Sequence, residues 1–517
     1  MNTFNRAVLL LFFTAAATSP AEVVPNALFS HNAVLQQGQE LPVWGTARDG
    51  EKITVSVAGA EQSTTAKEGR WMVRLPKRKP GGPHVLTISG DNIVTATNVV
   101  VGEVWLCSGQ SNMEKNMGPR NGQVPVLNWE KEAAAADLPL IRQFLVPREG
   151  ADNPREKMGG SWVVCSPASV TNFTAAGYFM AKELHEKLKV PVGIIHSSYG
   201  GTPAESWTRR EVLETVPELK GILETHAENI RTFAERRTKF EAEKGELKRK
   251  HAEAVKKAEA EGRPAPRGPQ APRDPVTDIK RPSALYNAMI HPLIPYAIRG
   301  VAWYQGESNS GKAKEYQTLF PAMITDWRKQ WGGADFPFLF VQISGYHGMN
   351  PAIREAQLLT LGRVPNTAMA VITDVSTPLD IHPPDKKPVG QRLALAALAL
   401  AHGRKVEYSG PLFESAVFTG PRAVVSFTHA DGGLKSRGGA VRGFQVAGAE
   451  RVFHPAAVEF QGTQAVLTSP AVSAPVAVRF GWDFVPDTNL VNRDDLPASP
   501  FRTDDWDDVK PAPAAGR

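Results

Sequence analysis

Ser111 stands in Gly109-Gln110-Ser111-Asn112-Met113, directly after a short apolar run, Val104-Trp-Leu-Cys107. A glycine two places before a serine lets the backbone turn sharply and aims the hydroxyl away from a strand end. The stretch is not the Gly-x-Ser-x-Gly elbow, because Met113 replaces the second glycine. Alone, such a turn is more often a helix cap than a nucleophile. Two other polar, glycine-containing turns follow apolar runs in the same way. His196-Ser-Ser-Tyr-Gly200-Gly201-Thr202 follows Val192-Gly-Ile-Ile195, and Gln305-Gly306-Glu307-Ser308-Asn309 follows Val301-Ala-Trp303. The bare amides of Gly200 and Gly201 suit an anion. A serine beside donors aimed at a developing negative charge is what acyl transfer requires.

A base is needed as well. His382, in Asp380-Ile381-His382-Pro383, can accept a serine proton at neutral pH, and a carboxylate would orient its ring. Asp380 lies two residues before it and Asp374 eight, and both are candidates. Other groups point elsewhere. His185-Glu186 has Lys189 where a zincin helix needs its second histidine. His196 and His347 near strand ends read as structural or substrate-facing. Trp207 and Tyr346 are candidates for a sugar-stacking wall, with core packing expected of at least one. No dinucleotide fingerprint or P-loop occurs, and the chemistry calls for no metal or cofactor.

The elements that must carry these loops are short runs apolar on both sides, which fit buried parallel strands. Besides those above they include Leu140-Ile141, Phe338-Leu-Phe-Val-Gln-Ile343 and Met369-Ala-Val-Ile372. Helical stretches alternate with them; in one, Gly177, Met180, Ala181, Leu184 and Leu188 share a face that Pro191 ends. The pattern predicts a doubly wound α/β domain with a parallel sheet, whose ligands bind at the carboxyl ends of the strands. Before it, alternating runs at 53–57, 70–75 and 84–88 predict a β-sandwich. After it, runs at 423–427, 443–446, 464–467 and 475–480 predict a second β-rich region.

The chain of 517 residues is too long for one core. We divide it into a signal peptide (1–21), a β-sandwich (22–100), the α/β domain (101–404) and a C-terminal β-rich region (405–517). The first segment has Arg6, an apolar run from Ala7 to Phe13 and small residues up to Ala21, the layout of a cleaved leader, so export to the periplasm or medium is expected. The apolar run is too short to span a bilayer. A charged insertion at 228–275 interrupts the α/β domain, with Glu235/Lys239, Glu246/Lys250 and Glu253/Lys257 spaced for helix pairs, followed by a proline-rich tract. Formal net charge is +6, and residues 228–273 carry 13 Lys and Arg against 8 Asp and Glu. The remainder is nearly neutral, which argues against a nucleic-acid cleft. Cys107 and Cys165 could pair, but two cysteines make no disulfide framework.

The block Gly-Glu-Val-Trp-Leu-Cys-Ser-Gly-Gln-Ser-Asn-Met-Glu at 102–114 resembles the first block of sialate O-acetylesterase-type SGNH hydrolases. Ser198-Tyr-Gly-Gly-Thr-Pro-Ala-Glu-Ser-Trp207, Trp303-Tyr-Gln-Gly-Glu-Ser-Asn309 and Asp380-Ile-His-Pro383 resemble its later blocks. The resemblance runs from about Leu28 to Trp506, except for the charged insertion. It implies a flavodoxin-like SGNH fold and a serine esterase that removes O-acetyl groups from sugars. Ser111 would be the nucleophile, His382 the base and Asp380 its partner, with Asp374 a rival. Oxyanion donors would be the Ser111 amide, the Gly200 or Gly201 amide, and Gln305, with Asn309 in reserve. Asn112, Glu307 and Asn309 would support the site or touch substrate, Glu307 by bracing the serine turn. Two other readings are an acetylxylan esterase or other glycan deacetylase, and a non-catalytic glycan-binding protein built on an esterase-like core.

Overall fold

A computed structural model describes residues 22–261, 265–266 and 268–506. The leader-like residues 1–21 lie outside these.

Seven strands form the part of the largest sheet that holds the site. They are β1 (Ile93–Gly109), β2 (Leu138–Leu145), β3 (Trp162–Cys165), β4 (Val192–Ser198), β5 (Gly300–Tyr304), β6 (Phe338–Val341) and β7 (Thr367–Ala370). Their order is β3-β2-β4-β1-β5-β6-β7, parallel throughout except for β3 at the edge. The strands β4, β5 and β6 are buried along their whole length, which is why they read as unbroken apolar runs. The chain fills positions on one side of β1 first and then, from β5 onward, on the other. The order therefore reverses at β1, and a crevice opens there at the carboxyl ends of the strands.

The helices around the sheet include α1 (Ser111–Glu114), α2 (Ala175–Leu188), α3 (Lys220–Arg231), α4 (Phe233–Ala260), α5 (Ala313–Gln330), α6 (Ala352–Arg363) and α7 (Lys387–His402). Side-chain alternation sets which sheet face each covers. A methyl group at Gly177 of α2 would meet Cys107 Sγ at 3.2 Å, and one at Gly390 of α7 would meet Phe179 Cβ at 2.4 Å. Glycines at these two contacts therefore let α2 approach the sheet and α7 approach α2. On the opposite face Trp303 packs edge-on against Trp327 of α5, with centroids 5.7 Å apart, and Phe320 of α5 meets Phe340 at 5.2 Å. The charged insertion is helical. α4 buries only Ala258, and Glu246 meets Arg249 at 2.6 Å and Lys250 at 3.5 Å along its solvated side.

The N-terminal strands do not stand apart from this sheet. β1 pairs in its first half with strands Gly81–Ser89 and Val34–Gln36 and in its second half with β4 and β5. Three other N-terminal strands form a separate antiparallel sheet. Strands after residue 411 form two four-stranded sheets and one two-stranded sheet around Phe427, Phe444, Phe480 and Phe501. Arg502 ties this region to Glu355 of α6 at 2.7 Å, and Gln342 Nε2 donates to Ser499 Oγ at 2.8 Å. Cys107 and Cys165 are both buried and unpaired. Among the described residues no helix is long and apolar enough to cross a membrane.

Candidate active site

β1 ends at Gly109 with φ +135°, where a side chain would strike the Tyr304 carbonyl oxygen at 2.2 Å. Only glycine lets β1 turn here so close to β5. The Gln110 amide then donates to that same carbonyl at 3.0 Å, and Ser111 opens α1 over the end of the sheet.

His382 arrives from the loop between β7 and α7. Its Nε2 lies 2.9 Å from Ser111 Oγ. Its Nδ1 faces Asp380 Oδ1 at 3.4 Å, and its backbone N–H donates to the same oxygen at 2.8 Å. Burial lowers the imidazole pKa from its ordinary 6.5, and the Asp380 charge opposes that shift. At neutral pH the ring is therefore uncharged and Nε2 can accept a proton. Asp374 takes no part in this. It is held by Arg392 at 2.6 Å and Arg437 at 2.9 Å, and those two cations lower its pKa despite burial.

Asn112 holds the serine and histidine loops together. Its Nδ2 donates to Glu307 Oε1 at 2.6 Å and to the Ile381 carbonyl at 2.9 Å, and its Oδ1 accepts from Lys386 Nζ. Lys386 is fully buried, 4.9 Å above the Tyr304 ring. Desolvation, reinforced by Lys115, pushes its pKa down to about 7. Glu307 is buried with its pKa raised, and its second oxygen has no partner. It therefore braces the residue after the serine.

The glycine-rich turn differs from expectation in one respect. The Gly200 N–H donates to Glu114 Oε2, so it is already engaged. Glu114 Oε1 accepts in turn from Arg120 at 2.7 Å and from Arg148. Gly201, at φ +71°, keeps its place on the pocket wall.

Gln305 and Asn309 are not brought to the pocket. Both are buried. The Gln305 amide donates to Asn309 Oδ1 at 2.6 Å and to the Thr202 carbonyl at 3.3 Å, while its Oε1 accepts from Tyr316 at 3.1 Å. Asn309 donates to Glu205 Oε2 at 2.9 Å and accepts from the Ala204 N–H at 2.9 Å. Bonded to each other and to the 202–205 segment inside the fold, these two side chains set the shape of the 199–204 turn. They are a scaffold under the site, and the expectation of Gln305 or Asn309 as oxyanion donors is corrected accordingly.

Trp207 is fully buried against Trp303, with centroids 5.9 Å apart, and forms no sugar wall; Tyr346 is half-buried. His196 is buried, its Nε2 2.6 Å from Ser198 Oγ, and burial lowers its pKa to about 3. His347 lies exposed. His185 Nδ1 is 2.7 Å from the Val190 carbonyl at the end of α2.

The pocket in front of Ser111 has a volume of about 710 Å³. Tyr199, Gly201, Ser308 and His382 line it, and Arg120, Arg148, Arg273 and Lys280 stand around it. Sequence reading missed Lys386, Glu114 and these cations. Glu114 closes the first quoted block and Lys386 precedes an apolar helix, but no spacing says what either one meets.

Residues 275–399 match the family model described as a carbohydrate esterase, sialic acid-specific acetylesterase. A sialate O-acetylesterase of Rattus norvegicus is 32% identical over 415 residues, covering 72% of each chain. That of Homo sapiens is 29% identical over 433 residues, covering 75% of this chain and 72% of the relative. In structure, a carbohydrate acetylesterase from Xanthomonas citri matches with a TM-score of 0.79 at 37% identity, over 94% of this chain and all of that one.

Proposed function

Since the chain belongs to the sialate O-acetylesterase family, and is thus a carboxylic ester hydrolase that removes O-acetyl groups from sugars, we propose that Ser111, His382 and Asp380 carry out the reaction as a triad. The observation that carries this is the 2.9 Å contact of His382 Nε2 with Ser111 Oγ, with the Asp380 carboxylate behind the ring. Ser111 attacks the acetyl carbonyl while His382 takes its proton, and the sugar oxygen leaves with that proton as the acyl-enzyme forms. Water then attacks the acyl-enzyme, again with His382 as base, and releases acetate. With Gly200 engaged by Glu114, the oxyanion donors in this reading are the Ser111 amide at the head of α1 and the Gly201 amide.

The first substrate in this reading is an O-acetylated sialic acid. This reading is supported by the resemblance to sialate O-acetylesterases. The sheet is read as SGNH-type and doubly wound, supported by the order reversal at β1 and helices on both faces, with sandwich-like flanks. The divisions at 22–100, 101–404 and 405–517 are likewise our reading. So is export, which rests on the leader-like first residues.

Hydrolysis of 4-nitrophenyl acetate and of 9-O-acetylated sialic acid by wild type and Ser111→Ala tests the proposal. Loss of a triad serine lowers kcat by on the order of 10⁶ in the best-studied case. Retention of wild-type turnover by Ser111→Ala removes the triad. Cleavage of the nitrophenyl ester alone moves the substrate to plant polysaccharides.

A further inference from the structure

A sugar-stacking wall was expected of Trp207 or Tyr346. Trp207 is sealed in the core, and neither residue lines the cavity in front of Ser111. The wall of that cavity does hold a phenol ring, that of Tyr199. Among the described residues it is the one aromatic side chain there besides His382. Ligand pockets commonly combine an aromatic surface with a few placed polar groups.

Tyr199 directly follows β4, and its backbone is fastened on both sides. Its N–H donates to the Gly109 carbonyl at 3.1 Å, which ties it to the turn two residues before Ser111. Its own carbonyl accepts from Thr202 Oγ1 at 2.7 Å, and Trp207 Nε1 donates to that hydroxyl at 3.0 Å. Ser198 before it lies 2.6 Å from His196 Nε2, and Gly200 after it donates to Glu114. A ring carried on a backbone fixed in this way loses little freedom when a ligand settles on it.

The side chain itself is uncommitted. It is half-buried, with part of it packed on the core and the remainder on the pocket wall. Among the described residues its ring stacks on no other ring and lies under no cation, and its hydroxyl makes no hydrogen bond. Unlike the hydroxyls of Tyr178, Tyr286 and Tyr304, that of Tyr199 is not sealed inside the fold. The cavity of about 710 Å³ is many times the size of an acetyl group, so most of its wall meets the sugar that carries the ester. A pyranose has an apolar face of C–H bonds and a rim of hydroxyls. A phenol divides in the same way, with an apolar body and a polar tip.

We infer that Tyr199 is the residue that selects a sugar as the alcohol part of the ester. Its ring supports the apolar face of the pyranose, and its hydroxyl bonds to the hydroxyl rim. The inference rests on the sugar-deacetylating reading of the Ser111 site. It draws on none of the charged side chains around the pocket, of which Arg120 and Arg148 are taken by Glu114 and Arg273 stands 3.8 Å from Asp278.

The test uses the full-length protein and measures acetate release from an O-acetylated sialic acid and from ethyl acetate, an ester with no ring to stack. Tyr199→Ala should lower the ratio of the two kcat/KM values, sugar over ethyl ester, by roughly threefold to tenfold, the range of one aromatic contact. The loss should fall mainly on KM. Tyr199→Phe keeps the ring and should hold most of that ratio. Deacetylated sialic acid, added as an inhibitor, should bind Tyr199→Ala more weakly by a similar factor. The ratio is internal to each variant, so a partly unfolded preparation does not distort it. An equal loss on both esters overturns the inference and leaves Tyr199 as a support of its turn. A Phe variant as impaired as the Ala variant overturns the role of the ring, and a ratio that Tyr199→Ala leaves unchanged overturns the whole. Ser111-dependent release confined to ethyl acetate, or absent from both esters, overturns the reading of the site itself, a result distinct from sugar turnover that ignores Tyr199.

Discussion

The buried ammonium of Lys386 donates to Oδ1 of Asn112, the residue immediately after the proposed nucleophile. The other end of the Asn112 amide reaches Glu307 and the Ile381 carbonyl. A single side chain therefore joins the serine loop, the loop after β5 and the histidine loop. The charge on Lys386 strengthens the bond that orients it.

A pH profile of kcat/KM follows from this bond. His382, lowered from 6.5 chiefly by burial, stays unprotonated down to mildly acidic pH, so the acid limb falls below 6.5. Lys386 is charged below about 7 and loses its proton above it. Activity should then decline above that pH by roughly threefold to tenfold, the difference between a charged and a neutral donor. Lys386→Met should be slower at pH 6 and should lack that alkaline limb. A Met variant with an unchanged alkaline limb would refute the assignment.

The two candidate aspartates should separate cleanly. Asp380→Asn should lower kcat by roughly 10²- to 10⁴-fold with little change in melting temperature. Asp374→Ala should do the reverse, leaving kcat near wild type while destabilising the fold by about 3 kcal/mol, because it strands the nearly buried Arg392. The pKa of Asp374 is lowered. Its contribution is thus present above the unfolded value of about 3.9 and is lost as pH falls through the folded one. Steady-state kinetics and thermal melts at pH 7 and at acidic pH check both halves. Interchanged results would make Asp374 the partner of His382.

Glu114→Ala removes the acceptor of the Gly200 N–H and leaves Arg120 and Arg148 without their shared carboxylate. The Gly200–Gly201 turn should then shift relative to Ser111, costing roughly tenfold to hundredfold in kcat/KM. Unchanged kinetics on 4-nitrophenyl acetate would show that the turn holds its position without Glu114.

Both cysteines should be inert in the folded protein and reactive once it unfolds. Burial pushes each thiol up to about 12, so the reactive thiolate is scarce at neutral pH. Thiol titration should find none in the native protein and two in denaturant. A zero count in denaturant would reveal a disulfide and contradict the unpaired state.

The meeting of Ser111, His382 and Asp380 was legible in the sequence because a loop position decides it. Ser111, His382 and Asp380 meet because each follows the carboxyl end of a parallel strand, and apolar runs mark those ends. What spacing does not carry is the direction of an amide. Gln305 and Asn309 lie in the right loop, yet Tyr316, Thr202 and Glu205 turn them inward. Lys386 was illegible for the same reason. A lysine reads as solvated until the cavity around it is known. The strand positions of the N-terminal region were legible too, at Arg70–Leu75 for example. Their merger with the central sheet was not, because both halves of β1 read as ordinary strands.

That merger bears on how the chain acquires its activity during synthesis. β1 finds its first partners among residues already made, but its second half waits for β4 and then β5. Until β5 has left the ribosome, one edge of the strand that ends at the serine is bare and open to wrong pairing. The glycine turn at Gly109 also lacks the Tyr304 carbonyl that receives Gln110. The nascent protein thus carries its proposed nucleophile early and can use it only late, so a truncated product ending before residue 300 is expected to be inert.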